Sequence, residues 1–241
     1  MERNQRCFCG SGKKYKNCHI RINGESKLAK IYQGNHNFDL ACKEMNIQNQ
    51  CIQDCFECCK DIFFISENEF LLILEKLIYE KADISFYLEK AEKIQNAVVK
   101  IYPEFMTQLK TVSTNNKIDL LIKSSCDGLV NEELPPCIFL NERNKCDIYE
   151  IRPGICRMYG STNTCRKLNN PDLQISACTQ MEIEQDVILG PKGKKIIKRP
   201  YPIFYWFTHF LNDDCYAETI KRMATIKSLS ENDYFKLHIK K

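Results

Sequence analysis

Seven of the chain's 15 cysteines fall into two short blocks, Cys51, Cys55, Cys58 and Cys59 in CIQDCFECC, then Cys137, Cys146 and Cys156 in CIFLNERNKCDIYEIRPGICR. Thiols this closely spaced, in a chain whose first residues look unlike an export signal, point to metal ligation and not to disulfides. The odd total of 15 also leaves one thiol over in any fully paired framework. The opening MERNQRCFCGSGKK has no apolar segment, and the longest apolar runs (IFFI, FLLIL, IFYWF) fall well short of the roughly 18 residues a membrane helix needs. The expectation is a cytoplasmic protein with no membrane partner.

At 241 residues the chain can bury one sizeable core and carry a small module besides. Its basic character is confined to the front. Residues 1–30 hold eight Lys or Arg against Glu2 and Glu25, while the whole chain is only +4. The segments read as a compact Gly- and Cys-rich module over 1–22, a polar linker with one short helix over 23–49, a cysteine-rich domain over 50–180, and a basic loop with C-terminal helices packing on that domain over 181–241. Ser66 and Glu69 fit a capping box that opens the helix FLLILEKLIYE. Ile84, Tyr87, Leu88, Ala91, Ile94, Val98 and Ile101 recur at helical spacing until Pro103 interrupts them, and further helices are expected near Tyr216 to Ser228 and after Ser230. The fold class predicted is mainly α: a metal-organised helical domain with long loops, preceded by a small zinc knuckle.

In the front module, Cys7, Cys9, Cys18 and His19 offer three thiols and an imidazole, a set suited to one tetrahedral Zn2+. Gly10 and Gly12 can take the positive-φ turn that returns Cys18 to the first pair. So small a module has no core of its own without metal. The pattern C-x-C-G-S-G-K-K-Y-K-x-C-H resembles the SEC-C motif, the zinc knuckle at the C-terminus of the bacterial preprotein translocase motor and of many other bacterial proteins. There it is a docking element, so the resemblance implies a protein partner reached through the knuckle.

The two central blocks give seven thiols, with Cys165 and Cys178 downstream as candidates for an eighth. Eight ligands would satisfy two tetrahedral sites, or one cluster and one mononuclear site. In extended backbone the adjacent Cys58 and Cys59 would point to opposite sides and could serve different metal ions or different sides of one cluster. Pro153 can start a short helix, ended at Gly160, with Cys156 in its first turn, where free N–H groups favour a thiolate. Arg152 and Arg157 flank Cys156 and could offset thiolate charge or donate hydrogen bonds to the ligands; the alternative for Arg157 is a solvated surface charge. The CxxCC end of the first block and C-x-I-Y-x-x-R-P-x-x-C-R, here Cys146 to Arg157, are similar to the CxxCxxCC (YkgJ-like) cysteine-cluster family of zinc- or iron-chelating proteins. That resemblance implies Zn2+, iron or an iron–sulfur cluster in the central domain. Three residues separate Cys51 from Cys55 where the family name implies two. Flagellin lysine methylases share the cluster, which makes an iron–sulfur-dependent protein-modifying enzyme the second reading.

Cys51-x3-Cys55-x2-Cys58 also matches the spacing of radical S-adenosylmethionine enzymes, but Glu57 stands where those prefer an aromatic residue, and nine glycines in all supply no Gly-rich cofactor loop. A single-stranded nucleic-acid reading rests on the knuckle's cations with Phe8 and Tyr15 as stacking platforms, and on the basic PKGKKIIKRP. His36, His209 and His238 sit in no motif with a nucleophile or carboxylate pair and read as surface or packing residues. Cys42, Cys126 and Cys215 stand alone and read as core or free thiols.

Overall fold

The computed structural model describes residues 1–44, 56–107, 109, 133–158, 186–197 and 200–239. The chain is mainly helical, and its centre is a helix buried on nearly every side. Ser66 caps it as the sequence suggests: its side chain accepts from the Glu69 N–H while the Glu69 carboxylate accepts from the Ser66 N–H. The helix so opened, α2 (Glu67–Tyr79), buries every residue from Glu67 to Glu75. Before it lies α1 (Lys27–Glu44), an 18-residue helix in the segment expected to be a linker with one short helix. After it comes α3 (Ile84–Ile101), with Asp83 as N-cap and Tyr87, Ala91, Ile94 and Val98 buried at the expected spacing.

Four further helices complete the described part: α4 (Gly154–Met158), α5 (Ile203–Phe210), α6 (Tyr216–Ser228) and α7 (Glu231–Ile239). Residues 103–107 add a helical segment directly after the interruption at Tyr102 and Pro103. The strongest helix pairing is α3 on α5, and α2 packs between α1 and α6. Rings fill the middle: Phe70 stacks on Trp206 at 5.0 Å, Phe207 meets Phe70 at 5.8 Å and Phe139 at 5.7 Å, and Tyr87 closes on Phe139 at 5.4 Å. Such offset and edge-to-face pairs add to the area they bury. The indole N–H of Trp206 is not orphaned, because it donates to the Ile65 carbonyl at 2.9 Å.

Two short antiparallel ladders pin this arrangement. In one, β1 (Phe64–Ser66) pairs with β4 (Pro200–Pro202), Phe64 opposite Pro202 and Ser66 opposite Pro200, which ties the starts of α2 and α5 together. In the other, β2 (Val187–Leu189) pairs with β3 (Lys195–Ile197). Glu231, at the start of α7, locks this hairpin to α1. One oxygen accepts from the Leu189 N–H at 2.9 Å and lies 3.3 Å from the buried Lys27 ammonium; the other takes Lys30 Nζ at 2.6 Å. None of the described helices is long and apolar enough to cross a membrane.

Candidate metal centres

The first centre is built by a miniature hairpin and one turn of 3-10 helix. Arg6 bridges Lys14, Cys7 N–H donates to the Lys13 carbonyl at 2.9 Å, and Tyr15 N–H donates to Gln5 at 2.8 Å. The reversal between them runs through Gly10 and Gly12 at φ 75° and 73°, the left-handed conformation expected of both. The turn at Tyr15–Asn17 then presents Cys18 and His19 back towards the hairpin, their N–H groups both donating to the Tyr15 carbonyl at 3.1 Å.

The result brings together all four ligands expected there. Cys7 Sγ and Cys18 Sγ lie 3.3 and 3.1 Å from His19 Nδ1, and Cys9 Sγ lies 3.6 Å from Cys18 Sγ. Zinc held at about 2.3 Å from sulfur and about 2.0 Å from nitrogen sets the corners of its tetrahedron roughly 3.5 to 3.8 Å apart, so the set fits one zinc ion with small adjustment. Electrostatics agree. Burial, and then the neighbouring Cys9 and Cys18, push the Cys7 thiol up to about 12, because so many sulfurs cannot ionise together without a cation. Burial, then Arg21 and Lys76, lowers His19 to about 4, which leaves the imidazole neutral as a ligand must be. Burial acts upward on Cys9 too, but hydrogen bonds with Ser11, Cys18 and Cys7 together outweigh it and hold this thiol below its ordinary value. Ser11 Oγ lies 3.2 Å from Cys9 Sγ and 3.4 Å from Cys18 Sγ, a role missed in the sequence although the residue sits inside the motif.

The knuckle is seated on the helices. Phe8 packs against Tyr15, His19 and Tyr32 of α1 at 6.0, 5.3 and 5.9 Å, and Tyr15 donates its hydroxyl to the Ile22 carbonyl at 2.5 Å. Arg21 forks onto Glu75 of α2 with contacts of 2.6 and 3.1 Å, and its guanidinium lies 3.4 Å from the Tyr79 ring centroid. Asn23 N–H donates to the Lys227 carbonyl of α6 at 2.8 Å. His36 of α1 lies so close to the knuckle that a Cβ at Gly10 would stand 2.2 Å from its ring. Gly10→Ala is therefore expected to lower stability by about 1 to 2 kcal/mol from the left-handed backbone alone, more from the clash, with weaker zinc retention against a chelator. Denaturant melts with and without chelator measure both.

The second centre lies where the two cysteine blocks meet. Cys58 and Cys59 occupy a 3-10 turn, Glu57–Lys60, not the extended backbone expected of them. Their thiols consequently interact instead of diverging. A hydrogen bond with Cys59 is the chief reason Cys58 is held below its ordinary value, and the same bond, with burial, drives Cys59 upward. The second block is stitched to the first by the Cys137 N–H, which donates to the Cys59 carbonyl at 2.7 Å. From there a tight loop carries the chain to Cys146, with Leu140 bridged to Cys146 and Asn141 Oδ1 accepting from the Arg143 and Lys145 N–H groups. Two side chains of α3 hold the loop: Lys90 Nζ donates to the Leu140 carbonyl at 2.6 Å, and Tyr87 Oη to Asp147 at 3.2 Å.

Pro153 starts α4 as its sequence suggests, and Cys156 lies in the first turn. Burial raises Cys156 well above a free thiol, followed by the charges of Cys137, Cys58 and Cys146; Cys137 is pushed up to about 12 by burial and then Cys146 and Cys58. The five thiols therefore share one neighbourhood. Among the described residues, however, the knuckle four are the one set of three or more ligand atoms all within 4.8 Å of one another. Cys51, Cys55, Cys165 and Cys178, and Gly160 with them, lie outside the described residues.

Burial raises Cys146, and the charge of Arg152 offsets part of that rise and adds to the lowering of Cys58; the Arg152 guanidinium lies 3.9 Å from the Tyr149 ring centroid. Arg157 is not a solvated charge. Its side chain is 3% exposed, pairs with Asp39 of α1 at 2.6 Å and donates to the Glu150 carbonyl. Glu69, read from the sequence only as a cap, also accepts from the Gly154 N–H at 2.9 Å; burial and then Asp186 push its carboxyl up to about 7. The remaining histidines pack on rings or backbone, His209 on Tyr205 at 5.0 Å and His238 on Tyr234 at 4.4 Å.

Two family models match this chain. The SEC-C motif covers residues 3–21. The CxxCxxCC model, described as "Putative zinc- or iron-chelating domain", covers residues 50–179, more than half the sequence. The chain belongs to the CxxCxxCC family. No curated protein and no solved structure matches it. Membership agrees with the donor chemistry: partly buried cysteines flanked by Arg152 suit zinc and iron–sulfur iron alike, and the first centre adds the imidazole that completes a tetrahedral zinc set.

Proposed function

We propose that this is a cytoplasmic metal-binding protein with two centres: a knuckle that holds one structural Zn2+ and docks on a protein partner, and a central cysteine cluster that chelates Zn2+. The observation that carries the reading is the convergence of Cys7, Cys9, Cys18 and His19 to within 4.8 Å. The electrostatic interactions among Cys58, Cys59, Cys137, Cys146 and Cys156, with the Cys137 N–H on the Cys59 carbonyl, support the second centre. The form of the knuckle favours docking over nucleic-acid binding. Phe8 and Tyr15, the two rings that could stack on bases, are 8% and 6% exposed and packed inward, while Arg3, Arg6, Lys13, Lys14 and Lys16 are all exposed. Such a surface suits an acidic protein segment, and it offers no platform for unpaired bases.

Elemental analysis after anaerobic purification tests the reading. Two tetrahedral zinc sites in the central domain plus the knuckle would give a colourless protein with about three zinc ions per chain. A coloured, oxygen-sensitive protein with iron, acid-labile sulfide and about one zinc would instead favour an iron–sulfur centre, and binding of S-adenosylmethionine by that form would promote a protein-modifying enzyme such as a lysine methylase. Salt-dependent capture of single-stranded oligonucleotides would overturn the docking assignment.

A further inference from the structure

The helix that carries Cys156, α4, has five residues, too few to hold its shape alone. Its position must be imposed from outside, and both ends are gripped by the helical core. At the start, the Gly154 N–H, one of the donors a helix leaves unpaired, is accepted by Glu69 Oε1 at 2.9 Å across 85 positions of sequence. At the end, Arg157 pairs with Asp39 of α1. Glu69 itself has little freedom. It is buried, and its other oxygen accepts from Ser66 N at 2.9 Å and lies 3.3 Å from Ser66 Oγ. A capping box needs only one carboxylate oxygen. The second one, in this chain, reaches the metal-binding loop, and Glu69 is near enough for its charge to act on the Cys156 thiol.

We infer that Glu69 is a positioning residue of the central metal centre: it fixes the start of α4 on the core and thereby sets where Cys156 presents its sulfur. The inference rests on the reading that Cys156 is a ligand. It places part of the specificity of the centre in α2, outside the cysteine blocks altogether. Groups that orient ligands in this way typically change metal affinity by 10- to 100-fold when removed.

The test uses the full-length, metal-loaded chain, with central-site affinity read by chelator competition, knuckle zinc as the internal reference, and thermal unfolding in parallel. Glu69→Ala is expected to weaken the central site 10- to 100-fold with knuckle zinc retained. Glu69→Gln, which keeps one carbonyl acceptor for two backbone donors, is expected to lose less. Ser66→Ala removes the cap side chain but not the bond to Gly154, so it should lower the melting temperature and keep the wild-type affinity. Wild-type affinity in both Glu69 variants would overturn the inference, as would a loss in Ser66→Ala equal to that in Glu69→Ala. If Glu69→Ala does not fold, Glu69→Gln decides. Cys156→Ser separates the two layers: full central metal in that variant means that Cys156 is not a ligand, whereas metal lost there and kept in the Glu69 variants defeats the positioning role alone.

Discussion

Replacing Cys7 with serine is expected to remove one zinc ion per chain and to destabilise the helical core along with the knuckle. A module of this size orders only with its metal, so losing the ion should unfold residues 1–22. The consequences then reach inward. Phe8 leaves Tyr32 of α1, on which it packs at 5.9 Å, and Tyr15 leaves the buried core cluster to which Tyr32 and Leu28 also belong. Arg21 leaves Glu75, whose side chain is 1% exposed, with Lys227 at 3.7 Å as its remaining ion-pair partner among the described residues. Breaking a buried ion pair from one side costs roughly 3 to 5 kcal/mol, a large part of the roughly 5 to 15 kcal/mol that holds a typical domain together. Calorimetry of wild type and Cys7→Ser, each with and without chelator, measures the effect. Once chelator has stripped both centres, the wild-type and variant melting temperatures should coincide, the wild type having fallen further because it alone had the knuckle zinc to lose. Zinc loss with no change in melting temperature would mean that the knuckle is an independent appendage, its contacts with α1 and α2 being energetically idle.

The parts of this fold that were legible in the sequence are those whose cause is local. Ser66 and Glu69 announce α2 because a capping box is a contact between residues three apart. The apolar residues of α3 announce it because one face is buried and the other is wet, which writes the 3.6-residue period into the chain. The helix α5 left no such mark. Its IFYWF stretch is buried throughout, and an apolar run that short reads as strand or helix alike. Helix α1 was obscured by the opposite circumstance. It holds Gly34 and two asparagines and buries Lys27, and what accommodates that lysine is Glu231 at the far end of the chain. The pairing of β1 with β4 likewise depends on a partner more than a hundred residues away, and prolines at both ends of PYP argue against a strand.

The same division runs through the metal centres. Four knuckle ligands within 13 residues, with glycines where the turn needs them, fix their own geometry, and the structure brings them together as expected. The central centre depends on distant contacts: α3 holding the loop before Cys146, α2 and α1 gripping α4, and the Cys137 N–H on the Cys59 carbonyl. Spacing identified those thiols as candidates but could not supply the contacts that orient them. It also left the directions of Cys58 and Cys59 open, since whether adjacent side chains diverge depends on a backbone conformation that the CC pair does not dictate, here a 3-10 turn.

Serine at Cys59, Cys146 or Cys156 is expected to empty the central centre, while serine at Cys215 leaves the metal content whole. The argument is one of shared charge. Cys59 is raised by its hydrogen bond with Cys58, by burial and by the charge of Cys137, and Cys156 by burial and then the charges of Cys137, Cys58 and Cys146. Cys137 and Cys146 are raised too, so four of the five sulfurs, all but Cys58, are held protonated until a cation is present. Removing one ligand leaves the others with an incomplete shell and the same mutual repulsion. The folded loop from Cys137 to Cys156 should then lose order together with its metal, and limited proteolysis should cut there first. Cys215 is set apart from both cysteine blocks as the N-cap residue of α6. Metal per chain, counted by elemental analysis against the knuckle zinc, is the deciding measurement. Equal metal loss in Cys59→Ser and Cys215→Ser would show that general destabilisation, and not ligation, empties the site; full retention in Cys59→Ser would remove the 3-10 turn from the centre and leave the second block to bind metal without it.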